Sequence, residues 1–268
     1  TVTENQVSSY ETNSKFVGSI GVTGSSVANK LAKKSDLVIP VGSRLQDFTT
    51  GSNTLISCEM ISINVQNHDV VKHKSISLLG DAKVSVKLIL ERINNFHISK
   101  QYETEINRLK NLWEADVVRV TSKSDKNSLP SDSEVIGAVN RNVTKNTIVI
   151  GAAGSMPGEL HKLWKSGDVE GYHMEYGFSC MGYEIPAAIG VNLAEPDRPN
   201  VIFVGDGSYM MMNSELSTAV MMGISTTIIV TDNRGFGCIN RLQKSTGSEP
   251  FNNLFKDSHH QKLPNIDY

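Results

Sequence analysis

Residues 201–208 read Val201-Ile202-Phe203-Val204-Gly205-Asp206-Gly207-Ser208. The four apolar residues predict a strand that is buried on both faces, and the two glycines around Asp206 predict a tight turn into a helix. In open parallel α/β sheets, ligands bind where the strands end at their carboxyl edge. This turn alone is compatible both with anion binding and with simple capping of a helix by Asp206.

A second polar turn follows the next predicted strand. The segment Thr226–Thr231 is typical of a strand, and Asp232-Asn233-Arg234-Gly235 comes directly after it. Adjacent strand ends in a sheet lie ~5 Å apart, so the side chains of Asp206 and Asn233 are able to reach one cation. Carboxylate and amide oxygens suit magnesium, which completes its coordination with phosphate oxygens and water. The two turns together therefore predict a magnesium site that binds a diphosphate.

The rest of the chain predicts two parallel-sheet domains of the α/β class. In the first domain (1–100), we predict helices at Val27–Lys34 and Ala82–Ile93, a strand at Met60–Val65, and a strand buried on both faces at Asp36–Gly42. In the second domain (132–268), we predict strands at 147–150, 200–204 and 226–231, and helices at 132–143, 185–193 and 214–222. Asp132 or Ser133 is the expected cap of the first of these helices.

The segment 101–131 is predicted to connect the two domains. Its first part is an amphipathic helix, because apolar residues recur at helical spacing: Ile106, Leu109, Leu112, Trp113, Val117 and Val120. Its second part, Ser122 to Ser133, is rich in Ser, Lys and Asp and is expected to be a linker.

Composition excludes several classes of function. The 268 residues carry a formal charge of -2, which gives no electrostatic basis for binding nucleic acid or an anionic membrane. No apolar run approaches the ~20 residues that a membrane span needs. The three cysteines have no CxxC spacing, which argues against a disulfide framework or a cysteine metal site. These features predict a protein of a reducing compartment, the cytoplasm.

The two polar turns are similar to the signature of thiamine diphosphate (ThDP) enzymes. In that family a Gly-Asp-Gly turn is followed some two dozen residues later by Asn, and here 25 residues (208–232) separate Gly207 from Asn233. The resemblance implies that Asp206 and Asn233 bind magnesium through their side chains and Gly235 through its carbonyl. It also implies that the cofactor diphosphate contacts Gly205, Gly207 and Ser208. The family often has Asn where this chain has Asp232, a position that does not bind the metal.

Two further segments fit the same resemblance. The stretch Phe178–Gly190 resembles the one that precedes the Gly-Asp-Gly turn in the family, where a bulky apolar residue before a glycine holds the cofactor bent. Met181 and Gly182 occupy these positions, although a methionine in an unknown sequence is more often core filler. Gly154 and Ser155, at the end of an earlier predicted strand, are expected to line the diphosphate.

Within the family, residues 16 to 250 resemble the trihydroxycyclohexane-1,2-dione hydrolases of inositol catabolism. The stretches that carry this resemblance are Gly21–Gly24, Val41–Ser52, Glu175–Phe178, Gly207–Tyr209 and Gly235–Asn240. The resemblance implies cleavage of the bond between the two carbonyls of a small cyclic dione, which yields a carboxylic acid and an aldehyde in one deoxy-glucuronate chain. It also implies at least a dimer. Arg44 and Asp47 lie in the stretch Val41–Ser52 that resembles this branch, but the resemblance assigns them no role.

Other interpretations remain open from the sequence. A carboligase of the acetolactate synthase type would use the same cofactor residues with pyruvate. We also expect the chain to be a fragment that lacks a preceding pyrimidine-binding domain, with its cofactor-activating glutamate, and ends within the second domain. No catalytic residue is therefore assigned, and the chain alone would be a non-catalytic cofactor-binding module. Gly18, Gly21 and Gly24 imitate a dinucleotide fingerprint without a preceding strand, and His161 and His173 are candidates for contact with a substrate.

Overall fold

The structure is a computed structural model that describes residues 15–123, 125, 127–168, 170–175, 177–257 and 266–268. It divides into two compact units, the first ending at Arg119 and the second beginning, after it, at Val120. The proposed domain boundaries at residues 100 and 131 remain predictions. Tyr176, which belongs to one of the family stretches, lies outside the described residues.

The first unit contains a three-stranded parallel sheet in the order β1-β2-β3. Its elements, in chain order, are α1 (Ser26–Lys34), β1 (Leu37–Val38), α2 (Asp47–Thr50), β2 (Glu59–Asn64), α3 (Asn67–Val70), a 3-10 turn (Lys72–Lys74), β3 (Ile76–Leu79), α4 (Ala82–Arg92) and α5 (Lys100–Thr121). The predicted α/β class is confirmed in this unit.

The strand predicted at Asp36–Gly42 is shorter and more exposed than expected. Only Leu37 and Val38 pair with β2, and Val41 adds an isolated bridge to Ile63. Leu37, Ile39 and Val41 are 41%, 47% and 40% exposed, so the prediction of burial on both faces is wrong. β1 is an edge strand of the sheet that the described residues form, and Pro40, two residues after it, has no backbone N–H with which to continue the pairing.

Helix α5 confirms the predicted amphipathic pattern with one exception. Ile106, Leu109, Trp113 and Val117 are buried at spacings of three and four residues. Leu112 is 56% exposed, because it lies on the flank of this apolar face, about a quarter turn from its centre.

The second unit contains a four-stranded parallel sheet in the order β5-β4-β6-β7. Its elements are α6 (Asp132–Asn142), β4 (Ile148–Gly151), α7 (Met156–Leu163), β5 (Tyr172–Met174), α8 (Glu184–Ala194), β6 (Asn200–Gly205), α9 (Asp206–Met212), α10 (Glu215–Met221), β7 (Thr227–Thr231), α11 (Gly237–Ser245) and a 3-10 turn (Phe255–Asp257). The expected parallel α/β fold is confirmed here as well.

The N-terminal cap of helix α6 lies one residue before the first of the two predicted caps. Ser131, rather than Asp132 or Ser133, accepts a hydrogen bond from the N–H of Glu134, and the Glu134 carboxylate accepts one from the N–H of Ser131. This reciprocal pair is a capping box, which requires Ser and Glu three residues apart.

The core of the second unit lies between the central strands and α8. Ile150 of β4 and Ile202 of β6 are fully buried against Ile185 and Ala188 of α8. This packing fixes the carboxyl ends of β4 and β6, from which the predicted site residues extend. No helix in the described ranges is both long and apolar enough to cross a membrane.

Candidate functional site

The predicted site residues lie at one edge of the second sheet. β6 ends at Gly205, which is in register with Thr231 at the end of β7, so Asp206 and Asn233 follow neighbouring strand ends. β4 ends at Gly151, and residues 152–155 continue from it. We call residues 152–155, 179–182 and 205–208 the three site segments.

Asp206 is buried, and its two carboxylate oxygens differ. Oδ2 accepts a hydrogen bond of 2.7 Å from the N–H of Gly235. Oδ1 is buried and has no hydrogen-bond partner within the described part of the chain. Burial raises the pKa of the Asp206 carboxyl, the charge of Asp232 adds to the shift, and the nearby backbone N–H groups of Gly235, Asn233 and Gly207 oppose it. A buried carboxylate oxygen without a partner is costly, and a hard cation such as magnesium would satisfy it.

Asn233 and Gly235 complete the predicted magnesium ligands. Asn233 is exposed, and its Oδ1 accepts a hydrogen bond of 3.2 Å from the N–H of Gly237. Gly235 has a φ of 134°, and a Cβ there would lie 2.5 Å from the carbonyl oxygen of Asn253, so this position requires glycine.

The set fits magnesium by its chemistry. The described residues contain no group of three or more His, Cys, Asp or Glu side chains arranged around a possible metal. That finding is consistent with the predicted site, because Asp206 is its only residue of those four types. One carboxylate, one amide oxygen and one carbonyl leave coordination positions for phosphate oxygens and water, as magnesium prefers.

Space is available where a diphosphate is expected. A Cβ at Gly205 or at Gly154 would meet no heavy atom of the described residues within 4 Å. Gly154 is exposed and has a φ of 93°, a conformation that favours glycine. Ser155 precedes α7 without capping it, and its hydroxyl donates to Asp132 at 3.4 Å.

The aromatic ring of Phe236 packs against Gly207. A Cβ at this position would lie 2.6 Å from the Phe236 side chain, which belongs to the second polar turn. The glycine therefore lets the two polar turns pack together.

Met181 and Gly182 lie in the segment that precedes α8. Met181 is half-buried. Gly182 has a φ of 86°, and a Cβ there would lie 2.7 Å from Cγ of Met212. Its N–H donates to the Ser208 hydroxyl at 2.7 Å, which connects this segment to the turn after β6.

Ser208 and Glu184 form a buried polar pair that sequence reasoning did not identify. The Ser208 hydroxyl donates to the Glu184 carboxyl at 2.8 Å, so this hydroxyl is already bonded within the protein. Glu184 is 0% exposed, and burial raises the pKa of its carboxyl, partly opposed by hydrogen bonds that include the one from Ser208. The signal in the sequence was a glutamate inside an otherwise apolar helix start, Tyr183-Glu184-Ile185.

The two histidines are bonded to tyrosines. His161 is buried, its Nδ1 shares a hydrogen bond with the Tyr172 hydroxyl, and burial lowers its pKa to about 4. His173 is half-buried, and its Nε2 lies 2.7 Å from the Tyr183 hydroxyl in a stacked pair, with its pKa lowered by burial. These contacts indicate a structural role for His161.

The glycine-rich loop of the first unit is filled by protein. The N–H of Gly21 donates to the Asn29 side chain at 2.9 Å, and a Cβ at Gly21 would lie 2.1 Å from the carbonyl oxygen of Phe48. This packing argues against the dinucleotide interpretation of Gly18–Gly24. An open, mainly apolar groove of about 720 Å³ in the same unit contains none of the predicted site residues.

Arg44 and Asp47 remain without a functional assignment. The carbonyl of Arg44 accepts a hydrogen bond of 2.8 Å from Lys72, and Asp47 begins α2. The Lys72–Arg44 hydrogen bond and the position of Asp47 at the start of α2 both support the local backbone.

Comparison with known protein families agrees with the site geometry. Residues 152–268 match the model described as "Thiamine pyrophosphate enzyme, C-terminal TPP binding domain". Residues 4–91 match "Thiamine pyrophosphate enzyme, central domain". Thiamine pyrophosphate is another name for ThDP.

Curated relatives carry one common name, 3D-(3,5/4)-trihydroxycyclohexane-1,2-dione hydrolase. The protein of Clostridium tetani is 40% identical over 266 residues, which cover 90% of this chain and 41% of the relative. The protein of Geobacillus thermodenitrificans is 39% identical over 263 residues, with 90% and 41% covered. The protein of Clostridium perfringens strain 13 is 39% identical over 256 residues, with 86% and 40% covered.

The chain thus spans about 41% of the length of the first two of these relatives. The two matched domain models, the parallel sheets and the identity to the dione hydrolases agree with each other. This chain belongs to the thiamine pyrophosphate enzymes and carries their central domain and their C-terminal TPP binding domain.

Proposed function

We propose that this chain is the cofactor-diphosphate and magnesium part of a hydrolase that opens the ring of trihydroxycyclohexane-1,2-dione. The reaction cleaves the carbon–carbon bond between the two carbonyls and leaves a carboxylic acid and an aldehyde in one deoxy-glucuronate chain. Support for the substrate comes from the names of relatives that are 39–40% identical over most of this chain. The proposal places the protein in inositol catabolism.

One observation carries the metal assignment. Oδ1 of Asp206 is buried at the edge where β6 and β7 end and has no hydrogen-bond partner among the residues that the structure describes. In the proposed function this oxygen and the side-chain oxygen of Asn233 bind magnesium, together with the carbonyl of Gly235. The alternative, a simple helix cap, would leave a buried carboxylate oxygen unsatisfied.

The other site residues hold and shape the cofactor in this proposal. The open positions at Gly154 and Gly205 give the backbone close access to phosphate oxygens. Ser155, Gly207 and Ser208 line the same edge, and the half-buried Met181 with Gly182 supports the cofactor in its bent form. When bound, ThDP supplies the electron sink for cleavage next to a carbonyl, while the protein supplies orientation and charge.

The experiment uses the longest open reading frame that contains this chain, expressed and supplied with ThDP and magnesium. Trihydroxycyclohexane-1,2-dione and pyruvate are offered separately, and the products are identified by NMR and mass spectrometry. We expect ring opening of the dione to one acid-aldehyde product and no conversion of pyruvate. Condensation of pyruvate, with the dione untouched, would contradict the hydrolase assignment and support the carboligase.

A matched variant links the activity to the proposed metal site. Asp206→Asn keeps the shape of the side chain and removes its charge, so we expect dione turnover to require much more magnesium. Asp232→Asn, in the same polar turn as Asn233, is the control and should keep the magnesium requirement of the native protein. Equal magnesium requirements in both variants would contradict the assignment of Asp206.

We also propose that the protein is cytoplasmic and at least a dimer. Exposed apolar side chains on α9 and α10, namely Met210, Met211, Val220 and Met221, support an association surface on the second unit. Light scattering on the purified protein tests this, and a monomer at micromolar concentration would contradict it.

A further inference from the structure

Glu184 is a fully buried acid outside the set of predicted cofactor residues. It begins α8 and is 0% exposed. An acidic residue in the first turn of a helix is ordinarily solvated and stabilised by the helix dipole. Glu159 in the first turn of α7 shows that ordinary case, because its side chain is 34% exposed and pairs with Lys162 at 3.5 Å.

The Glu184 carboxyl joins the three site segments. Its Oε1 accepts from the N–H of Ala153 at 3.3 Å, directly before Gly154. Its Oε2 accepts from the Ser208 hydroxyl at 2.8 Å, directly after Gly207. That hydroxyl in turn accepts from the N–H of Gly182 at 2.7 Å. One carboxyl therefore connects loops that lie 24 to 31 residues away along the chain.

We propose that Glu184 is a positioning residue of the cofactor site. It sets the spacing between the loop after β4, the loop before α8 and the turn after β6, so that all three reach one diphosphate-containing ligand. The inference rests on the proposed function. Burial of a carboxyl group costs free energy, and a role in arranging the three site segments explains why Glu184 is buried.

Three variants separate the hydrogen bonds from the volume of the side chain. Glu184→Gln keeps one oxygen for the Ala153 N–H and offers an N–H to the Ser208 hydroxyl. Glu184→Leu has similar bulk and makes neither bond. Ser208→Ala removes the link to Gly182 and leaves Glu184 in place. Glu159→Gln is the matched control in the first turn of α7.

The test measures ThDP binding by calorimetry at saturating magnesium, using the longest open reading frame that contains this chain. We expect the Kd to rise about tenfold or more in Glu184→Leu and in Ser208→Ala, as the loss of a buried hydrogen bond predicts. Glu184→Gln and Glu159→Gln should stay within about threefold of the native protein. The double variant Glu184→Leu with Ser208→Ala should be little worse than either single variant, because both act through one network.

Two further measurements distinguish positioning from a purely structural role. Hydrogen exchange of the ligand-free protein should show faster exchange at the Ala153 and Gly182 amides in Glu184→Leu, with unchanged exchange in the core of β6. In turnover assays the apparent KM for ThDP should rise while kcat at saturating ThDP stays near the native value. A structural carboxyl would instead lower the unfolding midpoint and leave the Kd of the folded protein unchanged.

The experiments distinguish a failure of this inference from a failure of the proposed function. Native ThDP affinity in Glu184→Leu and in Ser208→Ala overturns this inference and leaves the proposed function intact. If Glu184→Leu does not fold, Glu184→Met, which has a flexible side chain of similar volume and no acceptor oxygen, decides the question in the same way. A native protein that binds no ThDP overturns the proposed function and this inference with it.

Discussion

Two glycine-containing loops of this chain look alike in sequence and differ in the structure. The loop Gly18–Gly24 precedes α1, and the segment Gly205–Ser208 ends β6 and begins α9. In the first loop, backbone N–H groups donate to protein atoms, as those of Gly21 and Val22 do to Asn29 and Phe48. In the second, Oδ1 of Asp206 has no partner among the described residues, and the space beside Gly205 is open.

The difference teaches how far glycine spacing can be interpreted. A glycine indicates only that the backbone approaches something closely or adopts a special conformation. Whether that neighbour is protein or ligand depends on which polar groups remain unbonded after folding. The first loop is a packing element, and the second has the unbonded carboxylate oxygen that the proposed metal site requires.

The largest expected effect comes from removing the Asp206 carboxylate. Asp206→Ala should weaken ThDP binding in the presence of magnesium by about 100-fold or more, because the metal that joins protein to diphosphate loses its charged ligand. Isothermal calorimetry measures the change. Asp232→Asn, which keeps an acceptor for the N–H of Arg234, is the control, and equal affinities in the two variants would break the comparison.

A large loss of stability is expected in the packed loop. Gly21→Ala places a Cβ 2.1 Å from the carbonyl oxygen of Phe48 at a φ of 113°. We expect the free energy of unfolding of the first unit to fall by about 3 kcal/mol, from overpacking and backbone strain. Denaturant unfolding measures it.

Gly42→Ala is the control for this loop. Gly42 also has a positive φ, 66°, but its Cβ would meet nothing within 4 Å, so only ~1 kcal/mol should be lost. ThDP affinity of the folded protein should be unchanged in both variants. Weaker ThDP binding in Gly21→Ala alone would indicate that the first loop contributes to ligand binding.

Substitution of Gly205 should have the opposite effect to substitution of Gly21: it should weaken ThDP binding and leave the stability nearly unchanged. Gly205 has a φ of −75° and open space around its Cβ position, so Gly205→Ala should change the stability by no more than ~0.5 kcal/mol. The methyl group occupies the space proposed for the diphosphate, so the ThDP Kd should rise about tenfold, or ~1.4 kcal/mol. Gly190→Ala, a helical glycine with equally open surroundings, should leave the Kd unchanged.

A pH-dependent effect tests the scaffold behind the open turn. The pKa of buried His161 is lowered to about 4, so it is neutral in the folded protein while the unfolded chain takes up a proton below its ordinary 6.5. Its contribution to stability is complete above pH 6.5 and is lost as the pH falls from 6.5 toward 4, by about 1.4 kcal/mol per pH unit.

Urea unfolding of the native protein and of His161→Gln, between pH 7.5 and 5, isolates this contribution. The stability advantage of the native protein should shrink as the pH falls below 6.5. A difference that does not vary with pH would contradict a buried neutral His161. Exchange at amides around Gly21, in the first unit, should not follow this titration.

Local sequence patterns predicted most of the second unit. The apolar run before Gly205 gave β6, and its register with β7 follows from parallel pairing. The prediction failed for the strand at Asp36–Gly42, because an apolar run does not reveal whether a strand has neighbours on both sides. β3, whose four residues are all exposed, was not predicted because it lacks a buried face to produce an alternating pattern.

The sequence by itself determined the ingredients of the site: a carboxylate and an amide at successive strand ends, glycines beside them, and a spacing shared with the ThDP enzymes. Only the tertiary structure decided which polar groups are bonded. Phe48 packs against the loop at Gly21, whereas Oδ1 of Asp206 has no hydrogen-bond partner in the described part of the chain. The tertiary structure also brought Glu184 to Ala153 and Ser208. The reason is physical: hydrogen bonds between residues more than twenty positions apart depend on how the strands and helices pack, and no local pattern records them.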